Sequence, residues 1–279
     1  MRHMHHCMRS WRLDALRDLG IAPGPDAIPP KYLFVAHAKQ LRVALQQFSA
    51  YNISQVSVVT SGARKSPPTI SFTGRAGSVA VDVVVKAKLP PEYIRALNLS
   101  LKRIPRDPGE QRVVATESLL SVFDTGPGAV DVAYPGAEVW RDSDSGAVLQ
   151  RLYTESPSYG SYYLDVGPST RAEFTVSAQT LVSAAAAVVA DSCYVLVKED
   201  LAWLVAGSAK VSLQDQPSFV SGTALCRLRT KDLQRVAAGI GKWVVVEVRD
   251  GGVNVTYEDE DPYVLPWGTV THAIRAYRK

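Results

Sequence analysis

The sequence predicts an α+β protein in which one unit, β-α-β-β-β, occurs four times. Two patterns lead to this prediction: short segments of alternating apolar residues recur along the chain, and four short helical segments each carry one apolar stripe. The composition supports it, because 279 residues with 46% apolar and 21% charged residues describe a globular chain. Such a chain has room for two domains of roughly 100–150 residues.

The last copy of the unit is the clearest. A strand is predicted at 223–229, an N-cap at Thr230, a helix at 231–241, and strands at 243–249, 252–258 and 262–265. At 100° per residue, the helix has one narrow apolar arc, formed by Leu233, Val236, Ala237 and Ile240. The opposite side carries Lys231, Arg235 and Lys242. One face is therefore expected to be buried and the other to meet negative charge.

The first copy repeats this arrangement. It has a strand at 32–36, a helix at 37–50, and strands at 55–60, 69–73 and 78–87. The apolar stripe of its helix consists of Leu41, Ala44, Leu45 and Phe48. Lys39 and Arg42 lie on the polar side.

The two middle copies have the same order of elements but no basic residue on the polar faces of their helices. The second runs from the apolar pair at 113–114 through a short helix starting near Thr116 to strands at 129–134, 137–142 and 148–154. The third has a strand at 173–176, Ser177 as an N-cap, and strands at 192–197, 201–206 and 209–214. The apolar stripes of these helices are Leu119, Val122 and Phe123 in the second copy, and Leu181, Ala184, Ala185 and Val188 in the third.

A repeated unit that cannot bury its helix alone must pack against a sister copy, so two copies are expected to form one domain. The predicted organisation is an extension at 1–30, a first domain at 31–156, a connector at 157–171 and a second domain at 172–279. Four prolines precede residue 31, and the connector is rich in Tyr, Ser and Gly. The basic loop with Lys102, Arg103 and Arg106 is assigned only as a connection.

Composition also limits the compartment and the partners. The three cysteines form no motif, which favours a reducing compartment. No run of about 18 apolar residues predicts a membrane span, and the basic N-terminus lacks the apolar core of a signal peptide. A net charge of +4 permits a polyanionic partner.

No enzymatic motif is complete, and no metal or cofactor site is predicted. The segment 239–242 lacks the first glycine and the Ser/Thr of a phosphate-binding loop, and the four consecutive acids at 258–261 are typical of a solvated turn. The crowded His3, His5, His6 and Cys7 match no tetrahedral zinc spacing. His37 and His272 have no recognisable acid or nucleophile partner, although a triad is a spatial arrangement, so a hydrolase stays open as a distant alternative.

The half-domain pattern at 223–267 and 112–154, in which a strand enters a helix reading Leu-x-x-Val-apolar before two or three strands, resembles the DNA sliding clamps. These include the bacterial β clamps, proliferating-cell nuclear antigen and the processivity clamps of tailed phages. The resemblance covers about residues 31–279 and implies the DNA-clamp fold. It further implies a ring of six domains with helices inside and sheets outside, which encircles double-stranded DNA and tethers a DNA polymerase. A two-domain chain would form that ring as a homotrimer, and a clamp loader is a further expected partner.

The resemblance assigns two sets of residues. It places Lys39, Arg42, Lys231, Arg235 and Lys242 in the central hole, facing DNA; the alternative is an ordinary solvated face. It also assigns a groove for a polymerase peptide to Tyr159, Tyr162, Tyr163, Leu164, Val264 and Leu265, for which the alternative is a plain connector. The expected location is the bacterial or phage-infected cytoplasm, or the nucleus for a eukaryotic source. The alternative function is a β-rich structural or assembly protein, such as a virion component.

Overall fold

The computed structural model describes residues 32–61, 69–86, 112–123, 129–134, 137–142, 148–153, 162, 164–214, 219–237, 242–258 and 268–277. In chain order, the first repeat contains β1 (Tyr32–His37), α1 (Ala38–Ala50), β2 (Gln55–Ser61), β3 (Thr69–Ala76) and β4 (Val79–Lys86). The second contains β5 (Arg112–Ala115), α2 (Thr116–Ser121), β6 (Ala129–Tyr134), β7 (Ala137–Asp142) and β8 (Val148–Tyr153).

The third repeat contains β9 (Thr170–Ser177), α3 (Ala178–Ala187), β10 (Ser192–Lys198), β11 (Leu201–Ala206) and β12 (Ala209–Ser212). A short strand, β13 (Val220–Gly222), precedes the fourth repeat, which contains β14 (Ala224–Arg229), α4 (Thr230–Ala237), β15 (Trp243–Arg249), β16 (Gly252–Glu258) and β17 (Gly268–Arg275). The predicted α+β class and the four β-α-β-β-β repeats are confirmed.

Three details of the fourth repeat and its connector add to the sequence prediction. The described part of α4 ends at Ala237, and Lys242 directly precedes β15 because Trp243 already pairs with Ser177. The last strand is β17, at Gly268–Arg275, whereas the predicted strand at 262–265 lies outside the described residues. Strand β9 begins at Thr170, within the segment predicted as a connector.

The chain divides into two compact units, one of Met1–Arg42, Ser57–Ser71 and Val85–Ser158, the other of Val43–Val56, Phe72–Val84 and Tyr159–Lys279. The first unit contains a sheet of order β1-β6-β7-β8, and β5 lies next to β2. The second contains a sheet of order β12-β11-β10-β14 and a larger one that begins β13-β9-β15-β16-β17 and continues with β4 and β3. The domain limits at 156 and 172 stay a prediction.

The repeats exchange their first strands in pairs. In the second unit, β9 pairs antiparallel with β15, so that Phe174 faces Val246, and β14 pairs with β10, so that Cys226 faces Val195. In the first unit, β1 pairs in the same way with β6 of the second repeat. Each repeat therefore completes the sheet of its sister, which joins the first repeat to the second and the third to the fourth.

The core of the second unit lies between these exchanged sheets and the two helices. Residues alternate between buried and half-buried along β10 and β15, as expected for strands with one face on a core. The predicted helix stripes are buried, with Leu181 and Leu233 each 2% exposed. Burial of one such leucine contributes about 1.5–3 kcal/mol.

The starts of α3 and α4 are held in matching ways. The main-chain N–H of Ala178 donates to the Lys242 carbonyl at 3.0 Å, and that of Thr230 donates to the Asp191 carbonyl at 3.0 Å. Each helix thus places one of its unpaired first N–H groups on the sister repeat. Within the described ranges, no helix is long and apolar enough to cross a membrane.

Candidate nucleic-acid interface

Helix α4 separates an apolar side from a basic side. Val236 and Ala237 are 0% and 1% exposed, and with Leu233 they form the buried stripe. Lys231 and Arg235 are exposed and four residues apart, which places them on the same side of the helix. Both cations are exposed because of the helical period: Leu233, Val236 and Ala237, three or four residues apart, lie together on the buried side, and Lys231 and Arg235 lie on the opposite side.

The acidic residue of α4 does not neutralise this basic side. Asp232 accepts a hydrogen bond of 2.5 Å from the Ser78 hydroxyl, which lies in the turn between β3 and β4. Among the described residues, no carboxylate lies within ion-pair distance of Lys231 or Arg235. Asp232 in the first turn and Arg235 in the last turn also suit the helix dipole. The outer side of α4 is therefore positive.

The first helix has the same division. Leu41, Ala44 and Phe48 are buried on α1, whereas Arg42 is exposed. Lys39 lies on α1 three residues earlier, but its side chain is outside the described part. The predicted orientation of Arg42 away from the apolar stripe agrees with its exposure.

The helices of the two middle repeats have no positive charge. The exposed positions of α3 include Gln179, Val182 and Ser183, and Val182 is 41% exposed. The exposed acidic residue of α2 is Glu117. Positive charge is thus confined to α1 and α4 among the four helices, within the described residues.

Lys242, predicted on α4, lies elsewhere. It is exposed, and its carbonyl accepts the N–H of Ala178 at the start of α3. The fourth repeat thereby supplies one cation beside the first turn of the uncharged helix. Sequence periodicity cannot find this position, because it depends on pairing between β9 and β15.

A buried histidine lies beneath α4. His272 of β17 is 0% exposed, and its ring centre is 5.5 Å from the ring centres of Tyr51 and Tyr257. Burial lowers the pKa of His272 to about 4, with the Val236 carbonyl acting in the opposite direction. That carbonyl also accepts a 2.5 Å hydrogen bond from the Tyr257 hydroxyl. His272 is therefore a neutral core residue at pH 7.

The same cluster includes Tyr51, whose hydroxyl is buried. Burial raises the pKa of Tyr51, while the nearby charge of Arg235 lowers it and that of Asp232 raises it. The Tyr51 hydroxyl has no hydrogen-bond partner among the described residues.

Four segments of the second unit converge near the end of β17. The N–H of Arg275 donates to the Ser78 carbonyl at 2.9 Å, and the N–H of Ala276 donates to the Gly251 carbonyl at 2.8 Å. The N–H of Gly251 donates to the Val166 carbonyl at 2.8 Å. The approach is close enough to require glycine, since a Cβ on Gly252 would lie 2.1 Å from the Ile274 carbonyl oxygen.

These segments enclose a cleft of about 680 Å³, which we call the β17 cleft. Its lining consists of Gly77, Ser78, Asp165, Arg229, Gly251, Arg275, Ala276 and Tyr277. Two arginines and one aspartate are its charged groups. Sequence analysis missed the cleft, because its walls come from turns and strand ends that are distant in sequence.

The residues predicted to form a partner-peptide groove are only partly described. Tyr162 and Leu164 are buried, at 9% and 8% exposure, and Leu164 packs with Ala80 and Val166. Tyr159, Tyr163, Val264 and Leu265 lie outside the described residues. The groove stays a prediction, and Leu164 serves the core of the second unit.

The exchanged strands, the paired repeats and the helices with one buried stripe define a sliding-clamp-like fold. Among solved structures, the chain is similar to the crystal structure of Proliferating Cellular Nuclear Antigen from Entamoeba histolytica, with a TM-score of 0.58 and 10% identity. The similarity covers 88% of this chain and 99% of that one. No protein-family model and no curated protein sequence matches the chain. At 10% identity, the likeness concerns the fold.

Proposed function

We propose that this protein is a DNA sliding clamp, which encircles duplex DNA and tethers a DNA polymerase as its processivity factor. The observation that carries the proposal is the basic side of α4, where Lys231 and Arg235 are exposed opposite a buried stripe in a clamp-like fold. Arg42 on α1 supports it. The protein is proposed to act without catalysing a reaction.

The mechanism is topological. Six domains close a ring, and a chain with two domains requires three copies, each related to the next by the same rotation. The contact is heterologous, and it needs two different free edges on each chain. Strand β8 ends one four-stranded sheet and the exposed strand β12 ends another, so we expect β12 of one copy to pair with β8 of the next. Pairing would also cover edges that are otherwise an aggregation hazard.

Inside the ring, the contact with DNA is electrostatic. Lys39, Arg42, Lys231, Arg235 and Lys242 of each copy would lie around the duplex and meet phosphates without reading bases. Phosphate contacts of this kind depend strongly on salt and carry no sequence information. They hold the duplex loosely enough for sliding.

The proposed partners are a DNA polymerase and a clamp loader. The polymerase peptide would bind beside the connector, in the groove assigned to Tyr159, Tyr162, Tyr163, Leu164, Val264 and Leu265. Rings with an apolar body and a polar tip suit such grooves. The proposed location is wherever replication occurs, the bacterial or phage-infected cytoplasm or a nucleus.

The decisive experiment reverses one charge at a time. Arg235→Glu and, separately, Arg42→Glu should shorten the retention of the protein on closed circular duplex DNA and lower polymerase processivity. Each lost phosphate contact should reduce the slope of log affinity against log salt by about 0.9. Lys198→Glu makes the same charge change at the end of β10, and it should leave retention unchanged.

Assembly is measured independently by mass photometry, which should give about three chains per particle for all these variants. Equal retention of Arg235→Glu and the native protein at every salt concentration would contradict DNA contact by α4. A strict monomer at micromolar concentration, with no assembly on DNA, would contradict the ring.

A further inference from the structure

We propose that one side of the sheet β12-β11-β10-β14 binds single-stranded nucleic acid, with bases stacked on Trp203 and Tyr194 and phosphates paired with Lys210 and Arg227. This side of the sheet is turned away from the core of the second unit. The proposal goes beyond the clamp function and does not rest on it. We call this surface the β10 face, and its members are Tyr194, Leu196, Trp203, Val205, Lys210, Leu225 and Arg227.

The strand period of two separates the β10 face from the core. Along β10, Cys193, Val195 and Val197 are buried, whereas Tyr194 and Leu196 between them are half-buried. The same alternation continues on β11 and β14. The face is therefore made of the side chains that the core does not use.

The strand register arranges the β10 face in two adjacent rows. One row crosses the four strands as Arg227, Tyr194, Val205 and Lys210. The other crosses them as Leu225, Leu196, Trp203 and Ser212. Because neighbouring strands lie about 4.8 Å apart, the two cations at the ends of the first row are separated by about 14 Å across the sheet. Each row thus has one aromatic ring near its middle.

The charge of the four strands has one sign. They contain no Asp or Glu, and their charged residues are Lys198, Lys210, Arg227 and Arg229. The acids Glu199 and Asp200 lie in the turn after β10, where Glu199 pairs with Lys198 at 2.9 Å. The larger sheet of the same unit differs, because Glu173 and Glu247 face each other on β9 and β15. A polyanion is therefore favoured on the β10 face.

The cations and the rings of the β10 face lie in contact. The Nζ of Lys210 is 3.7 Å from the ring centre of Trp203, and the guanidinium of Arg227 is 5.8 Å from that of Tyr194. Arg227 is held in place, because its Nε and one terminal nitrogen donate to the Ser192 hydroxyl at 3.1 and 2.9 Å. Among the described residues, no carboxylate lies within ion-pair distance of Lys210 or Arg227.

Alternating rings and cations on an open sheet suit unstacked bases. Bases stack on aromatic side chains of such surfaces without regard to sequence, while neighbouring cations pair with the phosphates. A base over Trp203 would replace the ammonium of Lys210, which would then meet the adjacent phosphate. Leu225, 63% exposed, extends the apolar surface beside the rings.

The same features argue against two other polyanions. Duplex DNA keeps the flat faces of its bases stacked inside the helix, so it cannot use Trp203 and Tyr194. An acidic peptide can pair with Lys210 and Arg227, but its carboxylates have no flat ring to place on the aromatic side chains. We therefore assign the β10 face to a single strand.

The proposal is tested by fluorescence anisotropy in the Arg42→Gln, Arg235→Gln background, which removes cations of the helices. The probe is a labelled strand of about 12 thymidines, and its control is an abasic strand with the same number of phosphates. The chain should bind the thymidine strand at least tenfold more tightly. Trp203→Leu should weaken binding of the thymidine strand about tenfold and leave binding of the abasic strand unchanged.

A second variant measures the phosphate contact on its own. Lys210→Gln should reduce the slope of log affinity against log salt by about 0.7, the value for one contact with a single strand. Arg171→Gln also removes one positive charge from an exposed strand position, on β9, and it should change neither affinity nor slope. Thermal melting checks the fold of each variant. If Trp203→Leu unfolds, the abasic comparison and the exposed Lys210→Gln still decide.

Equal affinity for the thymidine and abasic strands would overturn the proposal. Unchanged binding in both Trp203→Leu and Lys210→Gln would do the same. Displacement of the thymidine strand by a Glu-rich peptide that binds Trp203→Leu equally well would assign the face to an acidic protein segment instead. Because the helix arginines are already replaced in this test, its failure would leave the clamp proposal intact, and failure of the clamp test on closed circular duplex would not affect this one.

Discussion

Helices α3 and α4 occupy the same position in sister repeats, yet their outer sides differ. Each follows a first strand, and each buries a leucine at 2% exposure against the shared core. The outer side of α3 presents Gln179 and Ser183, whereas that of α4 presents Lys231 and Arg235. Packing against the exchanged sheets fixes the inner side of both helices. The exposed side of each helix does not pack against a sheet. The difference in charge between the two exposed sides is therefore not needed for folding and points to a functional role.

The supports beneath the two helices also differ. Ser177 caps α3, since its hydroxyl accepts the N–H of Thr180 at 3.1 Å. Helix α4 instead lies over His272 and Tyr257. The side chain of Gln234 on α4 reaches α3, where it donates to the Ala185 and Val188 carbonyls at 3.1 and 3.3 Å. The charged helix thus completes the C-terminus of the uncharged one.

The largest expected effect tests the equivalence of the buried sides. Leu181→Ala and Leu233→Ala should each lower the free energy of unfolding by about 2–5 kcal/mol, because each removes a fully buried side chain and leaves a cavity. Urea unfolding of both variants measures this. A loss below about 1 kcal/mol for one of them would show that the two stripes are not equivalent.

The next effect concerns His272, which lies on β17 beneath α4, and it depends on pH. The pKa of His272 is lowered to about 4 in the folded chain, so the unfolded chain binds the extra proton first as pH falls. The contribution of His272 to the free energy of unfolding should be fully present above pH 6.5 and should decrease by about 3 kcal/mol as pH falls to 4. His272→Leu should remove this component of the pH dependence. The comparison of native and variant unfolding curves at pH 7 and pH 4.5 provides the measurement, and identical dependence in both would contradict the assignment.

A smaller effect tests the connection between the helices. Gln234→Ala should cost about 1 kcal/mol, because two carbonyls at the end of α3 lose their donor. Hydrogen exchange should become faster in the last turn of α3 while the middle of α4 stays protected. Faster exchange across α4 alone would mean that Gln234 supports its own helix instead.

The smallest effect on stability is expected when the exposed side of α3 is given positive charge like that of α4. Gln179→Lys with Ser183→Lys places two cations four residues apart on the exposed side of α3. Surface changes of this kind should alter stability by less than about 0.5 kcal/mol. If the helices line a DNA channel, retention on circular duplex should increase and its salt dependence should steepen. Unchanged retention would indicate that α3 does not approach DNA.

The sequence predicts correctly the features that depend on a single helix or strand. The stripe of Leu233, Val236 and Ala237 and the exposure of Lys231 follow from a period of 3.6 within one helix, and the alternation of β15 follows from a period of two. These patterns are local, so four helices and most strands were placed within a few residues.

Features made by distant segments could not be predicted in this way. The exchange of β9 and β14, the position of Lys242 beside α3 and the cleft at Tyr277 all depend on which strands pair. His272 lies in β17 between Thr271 and Ala273 and points inward as part of an alternating strand. Its burial could not be inferred from the sequence, because no strand was predicted at 268–275.

The exchange of first strands has a consequence for how the second unit is made. Strand β9 leaves the ribosome about 70 residues before β15, the strand that it pairs with. Until β15 is synthesised, the edge of β9 remains without that partner, and closure of so long a loop is slow. The two repeats therefore cannot fold one after the other. We expect this part of the chain to gain its structure only when the fourth repeat is complete, in a single late step during which exposed strand edges are vulnerable to misassociation.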